Sequence, residues 1–425
     1  GRRLESGDLS YGEMGSRMAT RRLVRALSTQ ANVAPTDVCI VGAARTPIGG
    51  FNGGLASLTA PKLGAHVISA ALERAAVEPN AVQEVYLGNV LSAGVGQAPA
   101  RQAALGAGLP VSTVCTTVNK VCASGLKSVM IAAQQVQLGL AHVLVAGGME
   151  SMTNAPYYLP KARFGARMGD ATMVDGMVKD GLWDPYREFH MGMCAEECAK
   201  THAISRAEQD AHALESYRRA GIATADGLFA DEIAPVTVRT RKGDTVCSTD
   251  EEVANDASRL PDARPAFLKE GTVTAGNSST LSDGAAALVI VSGAEASRRG
   301  LPVLARLIGY ADAAQEPIHF TTAPSLAVPI ALRRADVSIE QVAAFEINEA
   351  FSVVSVANNK LLGLDPSKVN VFGGAVALGH PIGASGSRIL VTLLSVLKHV
   401  DGQYGVASIC NGGGGASAVV IERLS

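Results

Sequence analysis

The stretch NKVCASGLKSVMIAAQQVQLGLAHVLVAGG, residues 119–148, determines the fold class. Its apolar positions 126, 129, 130, 133 and 136 recur at the spacing of one helix face, which predicts a helix over 126–138. The apolar run 143–145 follows and ends at two glycines, which indicates a short buried strand. A helix that leads into a buried strand is the repeating unit of α/β folds.

The same alternation continues on both sides of this stretch. We predict further strands at 37–41, 82–87, 285–291, 342–347, 369–372, 405–410 and 416–421, and helices at 59–75, 350–362 and 384–398. Between the two halves, residues 152–280 form a long and less regular insertion with helices within 190–223. Two halves of similar rhythm predict a duplicated α/β core with an inserted loop domain.

Composition and charge exclude several classes of protein. Of the 425 residues, 47% are hydrophobic and 18% are charged, which is typical of a globular chain. The net charge of -2 provides no broad basic field for nucleic acid or an anionic membrane. The seven cysteines are odd in number and scattered, so we interpret them as free thiols in a reducing compartment, one or two of them catalytic.

The N-terminal residues have the composition of a targeting segment. Residues 18–30, MATRRLVRALSTQ, contain three arginines and no acid, which predicts a mitochondrial transit peptide; the alternative is a frayed basic tail. Residues 1–17 contain Glu5, Asp8 and Glu13 and fit such a peptide poorly, so we expect Met18 to be the start. The sequence therefore predicts an N-terminal extension over 1–36 and a location in the mitochondrial matrix.

Four short segments place reactive or polar residues at predicted turns. They are NKVCASG at 119–125, NEAF at 348–351, GHPIG at 379–383 and CNGGGG at 410–415. Cys122 stands just before a helix, whose positive end favours the thiolate and is expected to lower the pKa of this thiol. Cys122 is therefore a candidate nucleophile, and the alternative is a buried structural cysteine.

The other three segments each allow two interpretations. Asn348 either caps the helix that follows or holds a water or substrate oxygen with its amide. His380 is either an ordinary loop histidine or a neutral imidazole that donates to an oxyanion. Cys410 and the four glycines near it form either a loose hairpin turn or a backbone that comes close to a ligand.

One cluster imitates a zinc site. His190, Cys194, Cys198 and His202 recur every four residues. On one helix these twelve residues rise about 18 Å, whereas tetrahedral zinc needs four ligands about 2 Å from one point. We therefore reject a single-ion site in this cluster.

Taken together, the four segments resemble the thiolase family, and the match runs from about residue 37 to the C-terminus. Further matching segments are ARTPIG at 44–49, GGMESM at 147–152, HMG at 190–192 and GTVTAGN at 271–277. The resemblance implies a thiolase fold, a layered α-β-α-β-α core. It also implies an N-terminal domain over 37–293, which includes a CoA-binding loop domain over 152–280, and a C-terminal domain over 301–424.

The resemblance also implies a role for each reactive residue. Cys122 would attack the thioester and carry the acetyl group, His380 would help activate Cys122, and Cys410 would act as general base. Together with His380, a water held by Asn348 would stabilise the enolate oxygen. The backbone N–H groups of Cys122 and Gly412 would form a second oxyanion hole.

Binding residues follow from the same resemblance. The implied CoA-binding positions are His190, Met191, Tyr217, Arg259 and Ser279. The mitochondrial acetoacetyl-CoA subgroup binds a potassium ion, at positions that match Tyr217, Ala275, Gly276, Ser278 and Val376. Mostly backbone oxygens and a phenol suit a large, hard cation. No redox cofactor is implied.

The expected reaction is the reversible condensation of two acetyl-CoA to acetoacetyl-CoA and CoA, by a homotetramer that binds neither nucleic acid nor membrane. A long-chain 3-ketoacyl-CoA thiolase shares the four segments, but the pattern of Tyr217, His190-Met191 and Phe320 favours the short-chain enzyme. Thiolysis of 2-methylacetoacetyl-CoA stays open, because Thr321 replaces the proline expected after Phe320. A non-catalytic acyl-CoA or lipid carrier should have lost a reacting group, and a ketoacyl synthase commonly has histidines where Asn348 and Cys410 stand.

Overall fold

The computed structural model describes residues 33–424, apart from residues 242 and 256. The predicted transit peptide and start lie outside these residues, as does nearly all of the predicted extension over 1–36. None of the described helices combines the length and the apolar character needed to cross a membrane.

Strands and helices alternate through most of the described chain. The strands are β1 Val38–Arg45, β2 Gly49–Gly50, β3 Glu84–Gly88, β4 Val114–Val118, β5 Val143–Ser151, β6 Tyr157–Tyr158, β7 Val174–Asp175, β8 Trp183–Asp184, β9 Phe189–His190, β10 Val236–Thr240, β11 Gly243–Cys247, β12 Ser282–Ser292, β13 Ala305–Ala314, β14 Val342–Ile347, β15 Tyr404–Asn411 and β16 Gly415–Arg423. The α-helices are α1 Ala60–Ala75, α2 Pro99–Gly106, α3 Ser124–Gln137, α4 Met191–Thr201, α5 Arg206–Ala225, α6 Gly293–Arg299, α7 Pro324–Ala335, α8 Ser352–Leu362, α9 Ala375–Leu378 and α10 Ile382–His399.

The main sheet contains the same strand order twice. It runs β14-β15-β16-β13-β1-β12-β5-β3-β4, and β2 pairs with β12. Without β2, the N-terminal half contributes β1, β3, β4, β5 and β12, numbered here first to fifth along the chain. From the edge of the sheet inward, these strands lie in the order third, second, fourth, fifth and first. In the C-terminal half, β14, β15, β16 and β13 lie in the order second, fourth, fifth and first from the edge inward. Where a third strand would lie, Val369 forms a single bridge to Phe345. The repeated order confirms the predicted duplicated α/β core.

The strand predicted over 369–372 is wrong. Asn370 has a φ of 49°, in the left-handed region, so the chain turns there instead of extending. The Asn370 amide accepts from the N–H of Ile347 and donates to its carbonyl, both at 2.9 Å. The Asn370 side chain therefore makes the hydrogen bonds to Ile347 that the backbone of a third strand would otherwise make. The prediction also missed β4, α2, β13 and α7; β4 is a sheet edge with exposed side chains, and α7 contains an internal proline.

Two central helices bring distant segments together. The inner faces of both sheet halves pack on α3 and α10, while α1 and α2 cover the outer face of one half and α7 covers that of the other. The two central helices contact each other through glycines; a Cβ on Gly125 would lie 2.8 Å from the Ser387 nitrogen. Because both helices begin at the same side of this contact, Cys122 and His380, which precede them, face one region.

A buried ion-pair network attaches the insertion to the core. Arg45, at the end of β1, is fully buried and donates to Glu232 at 2.5 Å and to both oxygens of Asp250 at 2.7 and 2.9 Å. Both acids belong to the insertion. Because a buried guanidinium is stable only when its hydrogen bonds are satisfied, these contacts fix the insertion over the end of β1.

Candidate active site

A cavity of about 540 Å³ opens beside the N-terminal ends of α3 and α10. Cys122 and His380 line it, together with Gly412 from the turn between β15 and β16. The rest of its wall is mostly apolar and includes Met152, Met177, Leu182, His190, Met191, Phe267, Ala275, Ser278, Ser279, Phe320, Phe351 and Ile382. An enclosed, mostly apolar site with a few convergent polar groups is typical of a ligand or active site.

Side-chain hydrogen bonds hold the turn that presents Cys122. Val121 has a φ of 48°, which is rare for a β-branched residue. Its N–H donates to Asn119 Oδ1 at 3.0 Å, and its carbonyl accepts from Ser124 Oγ at 2.6 Å. The same Ser124 oxygen accepts from the N–H of Lys120 at 2.8 Å. The strained turn is therefore bonded on both sides, which fixes the direction of the Cys122 side chain.

The expectation of a lowered pKa for Cys122 is wrong in this structure. Burial raises the pKa of this thiol to about 12, although the backbone N–H groups of Gly412 and of Cys122 itself lower it. Cys122 is only 9% exposed, so the loss of hydration outweighs these N–H groups. A nucleophilic role for Cys122 would therefore require a base that removes the proton of the thiol.

His380 lines the same cavity with a neutral imidazole. Its Nδ1 lies 2.6 Å from Ser385 Oγ, and that hydroxyl donates its one proton to the Pro381 carbonyl. The ring must then donate from Nδ1, which leaves the lone pair on Nε2; Nε2 has no hydrogen-bond partner in the described chain. Burial, followed by the charge of Arg388, lowers the pKa of His380 to about 3. Ser385 is not among the residues predicted from the sequence, where its only local signal is a hydroxyl one helix turn beyond Pro381.

Cys410 lies behind the cavity wall. It is fully buried near the end of β15, and Gly412 of the following turn lines the cavity. Burial raises the pKa of the Cys410 thiol well above its usual value, and the nearby Cys122 raises it further. The two sulfurs are therefore close enough to influence each other, although Cys410 itself does not line the cavity.

Asn348 keeps its side chain free for another partner. Helix α8 begins at Ser352 with Phe351 in the cap position, so the interpretation of Asn348 as a helix cap is wrong. Its own N–H donates to the Ser408 carbonyl at 3.0 Å, next to the end of β15. The Asn348 amide is buried, and within the described residues neither its oxygen nor its nitrogen has a hydrogen-bond partner. Since buried polar groups are normally paired, this favours an amide that holds a water or a substrate oxygen.

Glu349, which the sequence analysis did not single out, fixes the loop around Asn348. Its buried carboxylate accepts from Ser216 at 2.8 Å, from Asn370 at 2.8 Å and from the N–H of Val376 at 3.1 Å, and it lies 3.0 Å from His212 Nε2. The only local signal is an acid at a predicted strand-to-helix turn. These contacts connect the end of β14 to α5 and to α9.

The residues predicted to bind CoA lie in two places. His190, Met191 and Ser279 line the cavity. His190 accepts from the N–H of Gly192 at 3.1 Å and stacks on Phe267 with ring centroids 4.8 Å apart, which gives one wall a flat apolar surface. Tyr217 and Arg259 do not line the cavity, and Arg259 is exposed.

The five residues predicted to bind potassium lie in two neighbouring groups, one around Leu260 and one on the cavity wall. Tyr217 and Val376 pack around Leu260, and a Cβ on Gly276 would lie 2.5 Å from the same leucine. Ala275 and Ser278 line the adjoining cavity wall, and Ser278 donates its proton to the Thr274 carbonyl, which leaves its lone pairs free.

The chemistry of these groups fits a large cation. The backbone N–H of His380 donates to the Thr280 carbonyl and to the Ser282 hydroxyl. It therefore does not make the helical hydrogen bond to the Val376 carbonyl four residues earlier. A phenol, a hydroxyl and carbonyl oxygens suit a hard cation better than zinc. Over residues 33–424 without 242 and 256, no group of three or more His, Cys, Asp or Glu side chains could hold a metal ion.

The chain is similar to known proteins over most of its length. The family model for the thiolase N-terminal domain matches residues 38–294, and that for the thiolase C-terminal domain matches residues 301–423. Acetyl-CoA acetyltransferase 1 from Arabidopsis thaliana is 60% identical over 92% of this chain and 95% of its own length.

Other relatives extend the comparison. Two acetyl-CoA acetyltransferases from Gibberella zeae, one named mitochondrial and one cytosolic, are 55% and 53% identical; the alignments cover 91% and 93% of this chain and 91% and 100% of theirs. The crystal structure of the Acat5 thiolase from Ascaris suum in complex with coenzyme A superimposes with a TM-score of 0.87, at 46% identity over 91% of this chain and 100% of that chain.

Proposed function

The chain belongs to the thiolase family, and we propose that it is an acyltransferase that reversibly condenses two acetyl-CoA molecules to acetoacetyl-CoA and CoA. The observation that carries this proposal is the pairing of two buried thiols with a neutral histidine. Cys122 and His380 line the cavity, and Cys410 lies behind its wall. Relatives with acetyl-CoA acetyltransferase names over most of the chain support the acetyl substrate.

In the first half-reaction, Cys122 would become acetylated. Its sulfur attacks the thioester carbonyl while its proton moves to the free lone pair of His380 Nε2. The N–H groups of Cys122 and Gly412, which already point at the Cys122 sulfur, would receive the negative oxygen of the tetrahedral intermediate. Collapse of this intermediate breaks the bond to CoA, and the Cys410 thiol gives its proton to the leaving CoA thiolate.

In the second half-reaction, the Cys410 thiolate would remove a proton from the methyl group of a second acetyl-CoA. Protonated His380 Nε2, together with a water held by the unpaired Asn348 amide, would stabilise the enolate oxygen. The enolate carbon attacks the acetyl carbon on Cys122, and the Cys122 thiolate leaves and regains its proton from His380. All three groups then return to their starting protonation states.

The substrate panel that tests this function compares chain lengths. We expect kcat/KM for thiolysis of acetoacetyl-CoA to exceed that of 3-ketohexadecanoyl-CoA by roughly 100-fold, because buried Phe320 and Phe351 close the wall around the acyl group. The measurement is CoA-dependent loss of each 3-ketoacyl thioester. A preference for the long chain would instead establish a fatty-acid-degrading thiolase. The panel includes 2-methylacetoacetyl-CoA because Thr321 follows Phe320.

We assign CoA binding to the insertion over 152–280. His190, Met191 and Ser279 would contact the pantetheine arm, since they line the cavity from one side. The exposed Arg259, with Tyr217, would lie further out, towards the nucleotide. The division into domains over 37–293 and 301–424 stays part of this proposal.

We expect potassium to raise activity by roughly two- to tenfold relative to sodium, because ion binding would order the turn of Ala275 to Ser278 that forms one cavity wall. The measurement is the rate of acetoacetyl-CoA thiolysis in matched potassium and sodium chloride. A Tyr217→Phe variant, which loses only the phenol oxygen, should lose most of the difference. Equal rates in both salts for the parent protein would contradict the ion site.

We propose that the chain forms a homotetramer. The edge strand β4 presents unpaired backbone; its first residue, Val114, is 59% exposed, and Val111 just before it is 79% exposed. A second apolar surface lies in the insertion, where Phe164 is 84% and Met168 99% exposed. Two separate apolar surfaces on one subunit support two kinds of subunit contact.

We propose a mitochondrial location from the arginine-rich residues 18–30. The similar proteins include one named mitochondrial and one named cytosolic. The proposal of a mitochondrial location therefore rests on the N-terminal segment. Potassium dependence and a mitochondrial location would together fit ketone body and isoleucine metabolism.

A further inference from the structure

A lysine next to the nucleophile crosses to the strand pair that carries the second cysteine. The Nζ of Lys120 donates to Asp312 Oδ1 at 2.6 Å, to Ser417 Oγ at 2.9 Å and to the Ala416 carbonyl at 3.1 Å. Three acceptors satisfy the three protons of an ammonium group. All three come from the C-terminal half of the chain, whereas Lys120 belongs to the N-terminal half.

The strand register places these contacts opposite Cys410. In the β15–β16 pair, Ala416 is the residue directly across from Cys410. In the neighbouring β13–β16 pair, Asp312 is directly across from Ser417. Lys120 is two residues before Cys122. The Lys120 ammonium therefore bonds to Ala416, the residue paired with Cys410, while the backbone of Lys120 continues into the turn of Cys122.

The acidic end of this contact is itself held in place. Asp312 Oδ1 also accepts from Ser417 Oγ, and its other oxygen accepts from Lys127 of α3, both at 2.6 Å. The side chains of Lys120 and Asp312 are 26% and 34% exposed. A partly exposed pair of this kind contributes little to stability on its own. The Lys120–Asp312 pair is therefore expected to act mainly by fixing the positions of the segments it joins, and not by stabilising the fold.

The Cys122 turn needs such an external contact. Val121 lies between Lys120 and Cys122 with a strained, left-handed backbone. The contacts of Asn119 and Ser124 with this turn are local and move with it. In contrast, Lys120 connects the turn to the strand pair whose own turn supplies the N–H of Gly412.

We propose that Lys120 is a positioning residue, which fixes the Cys122 turn against the β15–β16 turn and so sets the spacing of the two sulfurs and of the Gly412 N–H. This inference rests on the proposed function of the two cysteines. Misplacement of reacting groups by about 1 Å can lower a rate about 100-fold without loss of substrate binding.

The test compares Lys120→Met with Lys127→Met, which removes the other lysine of Asp312 but no contact to the β15–β16 pair. We expect Lys120→Met to lower kcat for condensation by about 30- to 100-fold with KM within about threefold. Lys127→Met should stay within about threefold of the parent protein in both. Equal losses in the two variants, or an unchanged kcat in Lys120→Met, would overturn the proposal.

A second measurement does not depend on activity. Phenylarsine oxide bridges two adjacent thiols with two S–As bonds and releases water. A mass adduct that disappears both in Cys410→Ala and in Cys122→Ser, but persists in Cys198→Ala, therefore reports the Cys122–Cys410 spacing. We expect Lys120→Met to form this adduct at least tenfold more slowly than Lys127→Met does. Similar rates of adduct formation in the two variants would contradict the role of Lys120, whether or not the protein catalyses condensation. A parent protein without condensation activity would refute only the proposed function.

A milder variant covers the case in which Lys120→Met does not fold. Ser417→Ala removes one acceptor of Lys120 and leaves the charges intact. It should slow both condensation and arsenical bridging in the same direction, by about three- to tenfold. An unchanged rate in both measurements would count against the proposal.

Discussion

Cys122→Ser is expected to lower the turnover of acetyl-CoA by about 10⁴-fold and to abolish the acetyl-enzyme. Serine keeps the shape of the side chain, but its hydroxyl is a much weaker nucleophile than a thiol. Since burial outweighs the nearby N–H groups and raises the pKa of the Cys122 thiol to about 12, the net effect of the site would also disfavour ionisation of an even weaker acid. The measurement is the mass of the intact protein after incubation with acetyl-CoA.

The matched control for this variant is Cys247→Ser. Cys247 lies on β11, is partly exposed and does not line the cavity. The control should form the acetyl adduct as the parent protein does. An acetyl group that persists at another residue in Cys122→Ser would refute Cys122 as the nucleophile.

Cys410→Ala is expected to keep the acetyl adduct but to lower condensation by about 10³-fold. The adduct still forms because the proton that His380 takes from Cys122 can pass to the leaving CoA. Without a thiolate at position 410, the methyl group of the second acetyl-CoA lacks the base assigned to it. Exchange of those protons with deuterated water should fall together with condensation.

Cys198→Ala separates the loss of a base from the loss of packing. Cys198 is a buried thiol of the same hydrophobic cluster as Cys410, and it is close enough to raise the pKa of Cys410. Its removal leaves a similar gap but should keep condensation within about threefold. If condensation survives in Cys410→Ala, or falls equally in Cys198→Ala, Cys410 is not the base.

The placement of Cys122 before a helix could be predicted because it depends on local pattern. Apolar spacing at 126–136 predicts the helix that becomes α3, and the reactive residue stands at its start. The same holds for the pair β15 and β16, whose glycines indicate the turn between them. These features involve residues close in sequence, so the chain contains their whole cause.

Other features depend on atoms far away in the chain. The helix end predicts a lowered pKa for Cys122, but distant segments bury the thiol and reverse the direction. Local pattern favours Asn348 as a helix cap, whereas the fold starts α8 four residues later. The predicted strand near Val369 is lost because the Asn370 amide pairs with Ile347 instead.

The alternation of strands and helices, the duplicated halves and the four segments with reactive residues could all be predicted from local sequence pattern. Which groups lose water, which find partners and which stay unpaired, as Asn348 and His380 Nε2 do among the described residues, depends on the folded arrangement. The two kinds of feature differ in the distance along the chain over which their causes act. Hydrophobic periodicity acts between neighbours along the chain, whereas desolvation and hydrogen bonding depend on whatever the fold brings within a few ångströms, as it does for Lys120 and Ala416.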